Sequence, residues 1–163
     1  MAFYRQSKLP VVIARLFNTV GPRQTGRYGM VVPRFVEKAL NGDPLYVYGT
    51  GEQSRCFCHV YDTVRALRKL GDSDISGEVF NIGSKWNSSI IQLAEMIIKR
   101  LKSSSGIKYL SYDEAYEPGF EDMMHRFPNT VKIKEKLGWH TEHSLEKIID
   151  DVADYFRVKK LTQ

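Results

Sequence analysis

The 163-residue chain carries 24 Lys and Arg against 19 Asp and Glu, a formal net charge of +5, and 42% of its residues are hydrophobic. A chain of this size buries roughly 70% of the surface it exposes unfolded, so its composition excludes a disordered tail and a stapled mini-protein scaffold. The longest apolar run, Leu9 to Ala14, falls far short of the roughly 20 residues of a membrane span, and basic residues scattered from Arg5 to Lys160 without a dense block argue against a nucleic-acid-binding stripe.

Pro10 to Phe17 is a β-branched apolar run that does not alternate at its start, the pattern of a central parallel strand buried on both faces. Asn18 to Gly29, with four Gly and Pro residues among polar side chains, reads as the loop leaving that strand. Ligands of α/β proteins bind in such loops. Met30 to Leu40 has the three-four spacing of an amphipathic helix, stopped by Asn41-Gly42. Leu45 to Tyr48 and Cys56 to Tyr61 read as short strands around a Gly49-Thr50-Gly51 turn.

Asp62 is expected to cap a second helix that turns Val64, Leu67 and Leu70 inward. Val79 to Ile82 is the one obvious parallel companion for the first strand, so the sheet reads as incomplete. Ser89 and Gln92 have capping-box spacing for a helix running to about Leu101. After a Ser103 to Gly106 break come a strand at Ile107 to Leu110, a mostly irregular stretch from Tyr112 to Asn129, and a short helix from Thr130 to Leu137. A closing helix over Ser144 to Val158 faces Leu145, Ile148, Ile149, Val152 and Phe156 inward. The fold class is mixed α/β, with no linker to mark a second independent domain.

Cys56 and Cys58 cannot close a good disulfide two residues apart on a strand. No further cysteine exists for zinc, and His59, His125, His140 and His143 lack metal-ligand spacing. Reduced thiols and the absence of a signal-peptide pattern favour a cytoplasmic protein, with no metal assigned.

The segments Arg15-Leu16-Phe17-Asn18-Thr19-Val20-Gly21-Pro22, Val47-Tyr48-Gly49-Thr50-Gly51-Glu52-Gln53-Ser54-Arg55 and His59-Val60-Tyr61-Asp62 recur in a known order. So do Phe80-Asn81-Ile82-Gly83, Leu93-Ala94-Glu95, Arg126-Phe127-Pro128-Asn129 and Leu137-Gly138-Trp139. Together they resemble the carboxyl-terminal half of an extended short-chain dehydrogenase/reductase of the NAD-dependent nucleotide-sugar epimerase/dehydratase group, and most closely its UDP-glucose 4-epimerase and UDP-glucuronate decarboxylase members. The resemblance implies an incomplete parallel sheet left from a Rossmann-type fold plus a small α/β substrate-binding domain.

Two family features are not found. No Gly-x-x-Gly-x-x-Gly turn follows a strand, and Gly26-Arg27-Tyr28-Gly29 is only a loop approximation to one. Tyr4 and Lys8 have Tyr-x-x-x-Lys spacing but lie too close to the first strand, matching the tail of the family's preceding helix. The expectation is a single substrate-binding unit over residues 1–163 without the amino-terminal dinucleotide-binding half, inactive alone and holding no cofactor, with NAD implied for the complete enzyme.

The resemblance also implies roles for individual residues. Asn18 matches the asparagine that bonds the diphosphate region, Arg55 and Arg126 match a diphosphate clamp, Val31 and Val32 match the segment covering the base, and Tyr46 and Tyr48 flank it. Ion pairs of Arg55 with Glu52 or Arg126 with Asp122 are the competing account for the arginines. Arg23 and Gln24 could meet the sugar, although solvated loop residues fit them better. Asp at the positions of Thr50 and Asn129 is common in the family, and neither change removes a phosphate-binding group. The expected ligand is a nucleotide-diphosphate sugar. A stand-alone sugar-nucleotide-binding or regulatory module is the alternative, and an unpaired edge on the first strand predicts self-association.

Overall fold

The computed structural model describes residues 1–26, 30–111 and 123–162. The Gly26-to-Gly29 approximation, Asp122 and the Tyr112 end of the irregular stretch lie wholly or partly outside the described residues. Helix α1 (Ala2–Ser7) ends at Lys8 in the left-handed region, and Tyr4 packs on Gly77, where an added Cβ would meet its ring at 2.3 Å. Tyr4 and Lys8 therefore belong to a helix end.

Strand β1 (Val12–Leu16) pairs in parallel with β6 (Glu78–Ile82), register Val12 on Glu78 through Leu16 on Ile82. The sheet is incomplete, as expected. Burial of β1 on both faces does not hold, because Ile13 is 36% and Leu16 44% exposed. Val12 and Ala14 pack inward, whereas Ile13 on the opposite face is exposed.

The loop after β1 contains a two-residue strand, β2 (Thr19–Val20), parallel to β5 (Cys58–His59). Helix α2 (Val31–Asn41) stops at Gly42 with φ 75°, a conformation glycine adopts at no steric cost. Strand β3 (Leu45–Tyr48) pairs in parallel with β8 (Ile107–Leu110). The Gly49–Gly51 turn leads into β4 (Ser54–Cys56), which runs antiparallel to β7 (Asn87–Ser89) and parallel to β9 (His125–Arg126). The expected Cys56 to Tyr61 strand is thus two short strands broken at Phe57, with a helix starting at Val60. Cys56 and Cys58 are buried and free.

Helix α3 (Val60–Gly71) departs from expectation twice. Its N-cap is His59, whose Nδ1 accepts from the Tyr61 amide at 3.1 Å, whereas Asp62 lies in the first turn. The buried face is Asp62, Thr63, Ala66 and Leu70, while Val64 and Leu67 are 54% and 42% exposed. Helix α4 (Ile90–Leu101) carries both bonds of the Ser89/Gln92 capping box. Helix α5 (Val131–Leu137) ends at Gly138, and α6 (Leu145–Leu161) is capped by the Ser144 side chain.

Two apolar clusters organise the chain. The larger joins α2, β3, α4 and α6 through Phe35, Val36, Leu45, Leu93, Ile97, Ile148 and Val152. The smaller lies between the β1–β6 pair, α3 and α5, around Phe80, Ile82, Ile133 and Trp139. No described helix is long and apolar enough to cross a membrane.

Candidate functional site

A cavity of about 210 Å³ opens where the loop after β1, the amino end of α2, β3 and β4 converge. Asn18, Val31, Val32, Tyr46, Tyr48 and Arg55, six of the seven residues singled out from the sequence, line it. Strand periodicity explains the tyrosines. Leu45 and Val47 point into the larger core, so Tyr46 and Tyr48 stand on the opposite face, half-buried. Val31 and Val32 open α2, whose cap residue Met30 makes no side-chain hydrogen bond to the first-turn amides. The first-turn amide groups and positive dipole end of α2 therefore stand at the cavity wall.

Asn18 follows the carboxyl end of β1 with φ 28°. Its Nδ2 is buried and without a hydrogen-bond partner among the described residues. Such a group is costly unless a ligand or water meets it. Arg55 donates to the Ser54 carbonyl at 2.8 Å and sits at the cavity edge. Arg126 is not in the lining. It pairs in register with Arg55 across β4 and β9, and its guanidinium stands 5.1 Å from the Phe17 ring centroid, beside Asn18 in the chain. Arg55 and the unmet Asn18 donor thus line one cavity, with Arg126 against Phe17 beyond its lining, residue types suited to an anionic group.

Four further lining residues carry polar or aromatic contacts. Arg34, one turn into α2, donates to the Tyr48 hydroxyl at 2.9 Å and lies 5.1 Å from its ring centroid. Buried Gln53 donates to the Tyr48 carbonyl at 3.1 Å, so Tyr48 is held from both ends. Phe57, a buried residue, is also in the lining. Gln24 lines the wall and donates to the Thr19 carbonyl at 3.0 Å, which separates it from a freely solvated loop residue. Arg34 follows Val31 and Val32 in the same helical turn, a signal the sequence offered. Gln53 reaches the site only through the turn at Gly49–Gly51.

Away from the cavity, Asp62 is fully buried and accepts from Arg65 at 2.8 Å and from the Glu142 and His143 amides, each at 3.1 Å. Burial pushes its carboxyl up, but these bonds and the His143 imidazole outweigh that and hold it below the usual range. No group of three His, Cys, Asp or Glu suited to a metal occurs among the described residues.

A sequence model of the GDP-mannose 4,6 dehydratase family matches residues 1–152. The chain belongs to this family. It corresponds to a carboxyl-terminal part of the NAD-dependent nucleotide-sugar epimerases and dehydratases. UDP-N-acetyl-α-D-glucosaminuronate decarboxylase of Bacillus cytotoxicus is 41% identical over 155 residues, covering 94% of this chain and 48% of that protein. The chain therefore spans about half the length of that relative. The UDP-glucose 4-epimerase of Thermotoga maritima, solved with UDP-glucose, superposes with TM-score 0.86 at 31% identity over 98% of this chain and 50% of that one. The UDP-glucuronic acid 4-epimerase of Bacillus cereus, solved with UDP-glucuronic acid and NAD, gives 0.83 at 28% identity, covering 98% and 48%.

Among the described residues no Gly-x-x-Gly-x-x-Gly turn joins a strand to a helix. A pyrophosphate cradle needs glycines whose missing Cβ leaves room for phosphate. At four glycines an added Cβ would meet protein side chains, Val60 at Gly21, Val47 at Gly51, Tyr4 at Gly77, and Phe17 and Pro128 at Gly83, whereas at Gly71, Gly106 and Gly138 it would meet nothing within 4 Å.

Proposed function

We propose that this chain is the substrate-holding part of an NAD-dependent enzyme acting on UDP-sugars, a decarboxylase or 4-epimerase, and that it binds the nucleotide diphosphate without carrying out turnover by itself. The observation that carries this reading is the buried Asn18 Nδ2, without a partner among the described residues, at a cavity bordered by Arg55, with Arg126 paired to Arg55 in register. A diphosphate supplies the acceptors for all three, and Tyr46, Tyr48, Val31 and Val32 offer aromatic and apolar surface to a base. The UDP-sugars named for the relatives support this choice of ligand.

In this reading the cofactor-binding half adds to the open edge of β1, where no described strand pairs. Without that half, the same edge drives self-association of the chain. The two buried, reduced thiols accord with a cytoplasmic setting.

The test is calorimetric titration of the chain with UDP and UDP-glucose, repeated on an Arg55→Ala, Arg126→Ala double variant. The reading expects binding to the native chain and a loss of about tenfold to a hundredfold in the variant, the size of one or two charge-assisted hydrogen bonds. Binding that the double variant retains in full, or no binding by the native chain, overturns it.

A further inference from the structure

A second unmet polar atom belongs to a residue that lines the cavity. Gln24 donates through Nε2 to the Thr19 carbonyl at 3.0 Å and to the Met30 sulfur at 3.5 Å. These two acceptors fix the amide orientation, since a flipped amide would set its oxygen against the Thr19 oxygen. Oε1 is then the free end. It is buried and has no partner among the described residues, although Gln24 lines the cavity. On the same loop, Asn18 presents an unmet donor.

We infer that Gln24 is a specificity-determining residue, whose Oε1 accepts a hydrogen bond from a hydroxyl or N–H group of the bound nucleotide sugar. The inference rests on the proposed function above and extends it, because the diphosphate has no donor at neutral pH and cannot satisfy a carbonyl oxygen. The pair instead matches a ligand offering acceptors to Asn18 and one donor to Gln24: a hexose hydroxyl, a ribose hydroxyl or the imide N–H of the base. A site built around a buried acceptor rejects an analogue lacking the matching donor far more strongly than an apolar wall rejects a change of size.

Calorimetric titration of the native chain and a Gln24→Met variant with UDP-glucose, UDP, 2′-deoxy-UDP, 3′-deoxy-UDP and N3-methyl-UDP tests this. Methionine preserves length without the acceptor. The expected result is about tenfold weaker binding of UDP-glucose by the folded variant. That loss disappears with the ligands lacking the donor: with UDP and all three of its analogues if the donor is on the hexose, with one deoxy analogue alone if on the ribose, and with the N3-methyl analogue alone if on the base. A native chain that binds UDP-glucose, beside a folded variant that binds every ligand equally well, overturns the inference and leaves the proposed function standing. If the native chain binds none of the ligands, both fall. Should Gln24→Met not fold, the native chain decides alone, and equal affinity for all five ligands overturns the inference.

Discussion

The Asp62 carboxylate accepts from the backbone amide of His143 at 3.1 Å, across 81 positions of sequence. The neighbouring Glu142 amide donates to the same oxygen, and Trp139 Nε1 donates to the Asp62 carbonyl at 3.0 Å. One buried residue thus fastens the first turn of α3 to the segment leading into α6, where the smaller apolar cluster meets the larger.

Replacing Asp62 should be severe for stability. Asp62→Ala leaves two backbone amides and Arg65 without their acceptor and is expected to cost about 3–5 kcal/mol. Asp62→Asn, which keeps one acceptor oxygen, should cost less, about 1–3 kcal/mol. Urea denaturation of the three proteins measures both, and a variant as stable as the native chain would show that the network contributes nothing.

His59 makes stability depend on pH in a different window. Burial holds its imidazole below the usual value, the charge of His143 adds to this, and Asp151 at 3.1 Å opposes it. Its Nδ1 must stay unprotonated to accept from Tyr61. A depressed folded-state value means that the unfolded chain takes up the proton first. This contribution is fully present above about pH 6.5 and is lost as pH falls through the folded value. Unfolding free energy should therefore drop between pH 7 and 5 by up to about 1.4 kcal/mol per pH unit, and His59→Asn, which retains an N-cap acceptor, should flatten that slope. Equal slopes in both proteins would assign the dependence elsewhere. The depressed Asp62 acts only at lower pH, losing its contribution as pH falls through a value below the usual carboxylate range.

Burial pushes the Cys58 thiol up to about 11, and the Thr63 hydroxyl lies 3.5 Å from its sulfur. Cys56 is raised by burial as well. Neither thiol should react with an aromatic disulfide reagent at pH 8 in the folded chain, and both should react once guanidinium unfolds it. Rapid stoichiometric labelling of the folded protein would contradict the burial described here.

Signals contained in a few consecutive residues proved legible. Ser89 with Gln92, Gly42 and Gly138 after their helices, and the Leu45–Tyr48 and Ile107–Leu110 strands all lie where the sequence places them. Asp62 misled because a carboxylate beside a helix start looks like a cap, while its partners at 142 and 143 are invisible locally. Val64 and Leu67 misled for a related reason: periodicity records which residues are apolar, not which neighbours cover them. At the cavity, Asn18, Tyr46, Tyr48 and Arg55 were legible through the resemblance. Gln53 was not, since a turn and a strand carry it there, and the meaning of Gln24 lay in the orientation of its amide.

The two-stranded β1–β6 pair has a consequence for hydrogen exchange. Phe17 donates its amide to Ile82 at 2.9 Å, so with a period of two the amides of Ile13 and Arg15 also point toward β6, while those of Val12, Ala14 and Leu16 point to the side where no described strand pairs. Deuterium should enter this strand in alternation, slow and fast at successive residues, a pattern that a third strand docked against β1 would erase.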